Sequence, residues 1–258
     1  MKKIITSIAC CAALAGTLSA DFARVEMGVG GWQQEPSGTA SYTDGSGAQG
    51  KYTSDKKSDT SAYAWLLIKH PIPIVPNLRL EYADIKDSGK STGDFKDFNI
   101  PTGVTAPTTI EMTQFDVIPY YNILDNTFWT TIDLGIDLKV NKTDFTASAV
   151  PSSIPGSNFA GYSDSKTVVI PMVYARARVE IPSTDVGLEA DVKYITYNGS
   201  TVSDIRAKVD YTLGFIPVVQ PAIELGYRVQ KFDVTSDDKK TKMDMEFKGV
   251  YAGVMLRF

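Results

Sequence analysis

From Phe128 to Val140 the chain reads FWTTIDLGIDLKV, and its side chains divide by simple alternation. Ile132, Leu134, Ile136, Leu138 and Val140 form one set, and Asp133, Gly135, Asp137 and Lys139 the other. A helix would scatter both sets around its circumference, whereas a strand sends successive side chains to opposite faces and keeps the sets apart. The division recurs: Val186, Leu188, Ala190, Val192 and Tyr194 oppose Glu189, Asp191 and Lys193. Ile205, Ala207, Val209, Tyr211, Leu213 and Phe215 oppose Asp204, Arg206, Lys208 and Asp210. Softer versions set Leu78, Leu80 and Tyr82 against Arg79 and Glu81, and Phe115, Val117 and Tyr121 against Gln114 and Asp116. Others set Val173, Ala175, Ala177, Val179 and Ile181 against Tyr174, Arg176, Arg178 and Glu180, and Ile223, Leu225, Tyr227 and Val229 against Glu224 and Arg228. A period of two nearly throughout predicts an all-β protein.

The connectors alternate in length. HPIPIVPN (70–77), NILDN (122–126), PSTD (182–185) and PVVQP (217–221) are short. Between them lie polar segments rich in Gly, Ser, Thr, Asp and Pro at 36–57, 87–108 and 141–165, with shorter members at 198–201 and 235–242. Such alternation implies antiparallel neighbours with two unlike ends. The count is ten strands, near 22–35, 59–69, 77–86, 109–121, 127–140, 166–181, 185–197, 202–216, 221–234 and 243–258, with eight or twelve as alternatives. Each meets the roughly 9–11 residues that a tilted strand needs to cross a bilayer. The expected fold is a closed antiparallel transmembrane β-barrel of about ten strands, with short periplasmic turns and long extracellular loops. Pro119 and Pro171 lack a ladder donor and are expected near strand ends or at bulges.

Both ends of the chain agree with this reading. Residues 1–20 read as a cleaved export signal of the Sec type: Lys2 and Lys3, an apolar run from Ile4 to Ala15, and Leu18-Ser19-Ala20 as the processing site. The mature domain is then 21–258. Cys10 and Cys11, the only cysteines, leave with the signal, so no disulfide or thiolate metal site is expected. Removing two lysines from 26 basic residues against 30 acidic leaves 24 against 30, about −6, which argues against nucleic acid as a partner. Outside the signal no apolar run approaches the roughly 18 residues of a membrane helix. At the other end Val250, Ala252, Val254, Leu256 and Phe258 share one face, opposite Gly249, Tyr251, Gly253, Met255 and Arg257. A last strand that pairs with the first leaves the sheet no edge. Phe22, Tyr120, Tyr121, Phe128, Trp129, Phe215 and Phe258 fall at the short-turn ends of strands, where an interfacial girdle belongs.

LSADF (18–22), TQFDVIPYYNILDN (113–126), IDLGIDLKV (132–140) and GVYAGVMLRF (249–258) carry a resemblance over nearly the whole chain. It is similar to a family of small, uncharacterised outer-membrane β-barrel proteins of Gram-negative bacteria. The resemblance implies location and fold rather than chemistry. It also implies that the terminal strand, Val250 to Phe258, is read by the barrel-assembly machinery, and that the other standing partner is outer-membrane lipid.

The inward faces carry Arg79, Glu81, Asp133, Asp137, Lys139, Arg176, Arg178, Glu180, Glu189, Asp191, Lys193, Asp204, Arg206, Lys208, Asp210, Glu224 and Arg228. Side chains nearly fill the interior of an eight-stranded barrel, and ten strands widen it only slightly. Opposite charges across so narrow a space should pair, because an unpaired buried charge is costly. The expectation is a largely closed polar lumen, with function in the loops toward an extracellular ligand. The alternative is a narrow pore for ions or small solutes, and a more distant one an outer-membrane enzyme. The single histidine, His70, sits in a short turn, and no second histidine exists to complete a paired-His metal site. No GxSxG, HExxH or P-loop pattern occurs. The expected assignment is non-enzymatic, with no cofactor and no metal. YTDGSGAQG (42–50) lacks the carboxylate spacing of a calcium loop and reads as a flexible surface loop, and DDKK (237–240) as a hairpin tip.

Overall fold

The alternating segments form eleven strands in a computed structural model that describes residues 23–43, 47, 49–72, 74–151, 158–214 and 219–258. The export segment 1–20, its two cysteines, Phe22 and Phe215 lie outside the described residues. The strands are β1 (Arg24–Thr43), β2 (Gln49–Ser54), β3 (Asp59–Lys69), β4 (Asn77–Gly93), β5 (Ala106–Thr127) and β6 (Thr130–Ala147). They continue with β7 (Tyr162–Glu180), β8 (Val186–Tyr197), β9 (Ser200–Thr212), β10 (Gln220–Thr235) and β11 (Thr241–Arg257). Each pairs antiparallel with its neighbours, and β11 pairs with β1 from Glu26↔Arg257 to Tyr42↔Thr241, closing the sheet. Phe258 N–H donates to the Val25 carbonyl at 2.9 Å, so the last residue is tied into that seam. β2 and β3 both lie between β1 and β4, β2 at the long-loop end and β3 at the short-turn end. They are two pieces of one stave, and the wall has ten.

Between those pieces the wall is irregular. The ladder runs from Ser54↔Gly89 to Tyr63↔Ala83, so eight residues of the β2–β3 stave span what β4 spans with five. The extra chain bows out, and Lys56 turns with φ 58°. Opposite the gap, the buried Gln34 side chain of β1 serves as a strand fragment. Its Nε2 donates to the Asp84 carbonyl at 2.6 Å and its Oε1 accepts from Lys86 N–H at 3.3 Å. Two backbone groups that β3 leaves unpaired are thereby satisfied.

The long strands β4, β5, β10 and β11 are amphipathic in two opposite senses along their length. On β10, Leu225 and Tyr227 face out and Glu224 and Arg228 face in; a few residues on, Lys231 faces out and Phe232 faces in. On β11, Val254 and Val250 point out with Tyr251 inside, after Lys248, Glu246 and Asp244 outside Phe247 and Met245. β4 and β5 change likewise, from Tyr82 and Phe115 outside Glu81 and Asp116 to Lys86 and Glu111 outside Ile85, Ile110 and Met112. The alternation keeps its period and exchanges its faces. Below the exchange the wall suits hydrocarbon outside, and above it the wall suits water outside and an apolar core within. The lower band, Ile132 to Val140 on β6, is eight residue steps long. At about 3.4 Å per step and a tilt of about 40° it stands about 20 Å high before side chains are added, close to the apolar belt of a transmembrane barrel.

Several expectations need correction. The segments 36–57, 87–108 and 141–165 are not loops throughout: β1, β2, β4, β5, β6 and β7 run into their ends, because the barrel rises beyond the membrane. NILDN is not a turn. β5 continues through it to Thr127 with shifted register, and the reversal is the pair Phe128-Trp129, with φ 50° and 61°. Those two rings are exposed at the tip, while Tyr120 faces inward, packed edge-on to Tyr174 and not in the girdle. Neither proline lies at a strand end. At Pro119 the β5–β6 ladder is interrupted without a change of register, between Val117↔Leu138 and Tyr120↔Gly135, so Ile118 and Pro119 have no partners in β6. Pro171 sits mid-strand in β7, where the ladder to β8 begins only at Val173↔Tyr194.

Candidate functional site

The inward face of the lower barrel is a continuous lattice of ion pairs. At the short-turn end Glu26 pairs with Arg24 at 2.5 Å and Arg257 at 3.5 Å. Arg257 reaches Asp210 at 2.6 Å, and Arg178 holds the same carboxylate with two bonds of 2.7 and 3.1 Å. Arg178, Arg176, Arg79 and Lys208 converge on Glu189 at 3.3, 2.8, 3.2 and 3.6 Å. Arg176 also holds Asp133 at 2.5 Å. Arg79 passes to Glu81 at 2.6 Å, which also takes Lys193 at 2.5 Å and Arg206; Arg206 holds Asp191 at 2.9 Å. Lys193 and Lys139 share Asp116 at 2.5 and 2.8 Å, and Arg228 grips Asp204 at 2.9 and 2.6 Å. Lys208 pairs with Glu224 at 2.9 Å.

Many of these bonds cross the lumen rather than follow the wall. Arg79 and Glu81 on β4 meet Glu189 and Lys193 on β8 and Arg206 on β9; Tyr63 on β3 donates to Glu224 on β10 at 2.7 Å, and Trp65 donates to the same oxygen at 3.0 Å. Indole faces fill the remaining width: Lys208 sits 4.3 Å from the Trp65 ring and Arg228 4.7 Å from that of Trp32. The void that Trp32, Tyr63, Trp65 and Tyr251 enclose with these cations is about 10 Å³, room for about one water. The tight fit is written into the backbone at Gly28 and Gly187. A Cβ at Gly28 would collide with the Trp65 indole, and one at Gly187 with the Arg178 guanidinium.

All of the predicted lumen residues except Glu180 are buried on this inward face; Glu180 is half exposed at the short-turn rim, bonded to Arg24 at 3.2 Å. Asp137 stands apart. It is fully buried, its carboxylate oxygens have no hydrogen-bond partner among the described residues, and the Lys193 ammonium is 4.0 Å away. The sequence reading omitted Glu26, Asp116 and Arg257 from the lattice, although strand parity puts Asp116 and Arg257 on the polar face. Glu26 lies among glycines in a strand whose alternation is weak.

Above the lattice the lumen is stopped by an apolar layer that includes Tyr52, Ile85, Met112, Phe232, Met245 and Phe247. A carboxylate, Asp87, is set into it and accepts from Tyr52 Oη at 2.7 Å and Ser54 Oγ at 2.8 Å. Asp87 lies above the membrane-spanning band; burial pushes its carboxyl up, partly offset by those two hydrogen bonds. Over this layer the barrel opens into a vestibule of about 540 Å³. Its wall includes Phe95 and Phe98 from the β4–β5 connection, Phe145 of β6, Tyr162 and Asp164 of β7, and Asp237 and Asp238 from the β10–β11 hairpin.

His70 braces its own turn. Ile72 N–H donates to Nδ1 at 3.2 Å, Nε2 lies 3.0 Å from the Pro76 carbonyl, and His70 N–H donates to Asn77 Oδ1 at 3.0 Å. No group of three or more metal-ligating side chains occurs among the described residues.

These features define a closed, ten-stave transmembrane β-barrel. Among solved structures the chain is similar to the outer membrane protease OmpT from Escherichia coli. The identity is 12%, the match covers 95% of this chain and 99% of that one, and the TM-score is 0.52. It also matches the translocator domain of the autotransporter NalP from Neisseria meningitidis, at 12% identity over 100% and 96% of the two chains with a TM-score of 0.46. At these identities the likeness is one of fold. No protein-family model matches the chain, and no curated protein matches it.

Proposed function

We propose that this chain is a Gram-negative outer-membrane barrel, exported through the Sec pathway, that acts at the cell surface through its extracellular end and does not conduct. The observation that carries the reading is the sealed lumen: a cross-braced lattice whose void beside Trp32 and Trp65 has room for about one water, capped by an apolar layer. A conducting pore needs a continuous wet path with sites that ions can leave. Here the charges are already bound to one another. The same reading assigns the chain to the family of small outer-membrane barrels it resembles, and Phe258 and its face of β11 to recognition by the assembly machinery. The barrel is non-enzymatic on this reading, a view supported by the engagement of its one histidine in holding a turn.

The test is single-channel recording of the refolded protein in a planar bilayer, with heat-dependent gel mobility as proof of folding. Folded protein that gives no unitary steps is the expected result. Stable steps with charge selectivity would overturn the sealed-lumen reading.

A further inference from the structure

The vestibule is built differently from the rest of the interior. Phe95, Phe98 and Tyr162 stack in sequence, with ring centroids 4.6 and 4.4 Å apart, and Phe145 leans on both phenylalanines at 6.4 and 5.9 Å. All four rings are only half buried and line the open space. Ala40 and Phe145, which line it, pack against the apolar layer. A cavity of about 540 Å³ lies within the roughly 300–1,000 Å³ typical of small-molecule sites, and an aromatic wall with a few polar groups is their usual chemistry.

The charges at the wall discriminate between ligands. Asp97 and Asp164 are exposed, and neither makes an ion pair among the described residues. Both line the same space as Tyr162, whose phenol is raised by burial and further by the negative charges of Asp164 and Asp97. Two cations also line the space. The Lys96 charge acts on Asp238, and Lys166 is exposed at the end of a flexible stem. With Asp97, Asp164, Asp237 and Asp238 against Lys96 and Lys166, the wall is net anionic. An aromatic face and a free carboxylate attract the same partner, since the ring quadrupole favours cations.

We propose that the vestibule binds a small organic cation, an amine on a flat apolar body, with the body against the Phe95–Phe98–Tyr162 stack and the ammonium held by Asp97 and Asp164. This rests on the reading of the extracellular end as the working end.

The probe is 2-phenylethylamine, titrated calorimetrically into the refolded full chain in zwitterionic nanodiscs, with empty nanodiscs as blank. 2-Phenylethanol and 3-phenylpropanoate are the neutral and anionic controls. Saturable one-site binding of the amine is expected, with the alcohol at least tenfold weaker and the carboxylate weaker still. Asp97→Asn with Asp164→Asn, both at exposed positions, should bring the amine down to the affinity of the alcohol, and Phe98→Ala should weaken amine and alcohol together. Failure of the amine to saturate, equal binding of amine and alcohol, or an unchanged amine affinity in the double variant would each overturn the proposal. Conductance is read separately. A barrel that binds the amine yet conducts retains this site and loses the sealed lumen, and a silent barrel that binds nothing does the reverse.

Discussion

Replacing Lys193 by Met tests whether the lumen is dry. The Lys193 ammonium lies 2.5 Å from the carboxylates of both Glu81 and Asp116, with Asp204 at 3.9 Å and Asp137 at 4.0 Å. Methionine retains most of the apolar stem, so the change removes charge and hydrogen bonds more than packing. Removing one partner of a buried pair costs about 3–5 kcal/mol, because the other charge is left in a medium that cannot solvate it. Here the stranded carboxylates keep other cations, Glu81 with Arg79 and Arg206 and Asp116 with Lys139, which points to the lower end. The expected loss is about 3 kcal/mol. Lys142→Met, which breaks the exposed Lys142–Asp144 pair at 2.8 Å, should leave stability nearly unchanged. The assay is equilibrium urea unfolding from lipid vesicles followed by tryptophan fluorescence, since Trp32 and Trp65 are buried in the lumen. Adding Asp116→Asn to Lys193→Met should recover part of the loss. A Lys193→Met cost as small as that of the exposed pair would mean that water screens the lattice, and would refute both the dry lumen and the case against conduction.

Four further outcomes follow from single features. Asp137→Asn should change stability by less than about 1 kcal/mol or raise it, because it removes a buried charge that no hydrogen bond compensates; the same urea titration reads it. Asp87 titrates higher folded than unfolded, so its contribution falls as pH rises from the ordinary carboxylate range through the raised value and is constant above it; Asp87→Asn should abolish that slope in unfolding measured against pH. Gln34→Ala should cost about 2–4 kcal/mol by stranding the Asp84 carbonyl and the Lys86 amide, and the Lys86 amide should exchange its hydrogen faster. Phe128 and Trp129 hold left-handed backbone in a two-residue turn, at about 1–2 kcal/mol each. Replacing the pair by Asn-Gly should stabilise the barrel in detergent and lower its stability in bilayers, where the interfacial rings are lost.

How much of this was legible depends on which physical signal each region carries. The lower barrel was readable because one environment spans it: hydrocarbon outside demands Ile132, Leu134, Ile136 and Leu138, and the narrow polar interior demands Asp133, Asp137 and Lys139 between them. The turn at Phe128-Trp129 was not, because two bulky aromatics at positive φ contradict the local preference that turn recognition relies on. Gln34 was invisible for a different reason, since its role depends on three residues of slack in a stave opposite it, which no local pattern encodes.

The upper barrel is the instructive case. YRVQKFDVT, from Tyr227 to Thr235, alternates except at Gln230-Lys231, where the apolar set passes from odd-numbered Tyr227 and Val229 to even-numbered Phe232 and Val234. Scored with one fixed outward face, such a segment loses its pattern and reads as a polar loop. The exchange has a physical cause: the outer solvent changes from hydrocarbon to water within one strand, and each face must follow its solvent. It occurs within one pair of residues on the two neighbouring strands: across the β10–β11 ladder Tyr227 pairs with Val250 below the exchange and Phe232 with Met245 above it. A phase exchange of this kind at paired positions is therefore a sequence marker of the height at which a barrel leaves its membrane. In this chain it also separates two interiors with different work. Below it opposite charges neutralise one another and close the lumen, and above it apolar side chains form the stopper on which the aromatic vestibule rests.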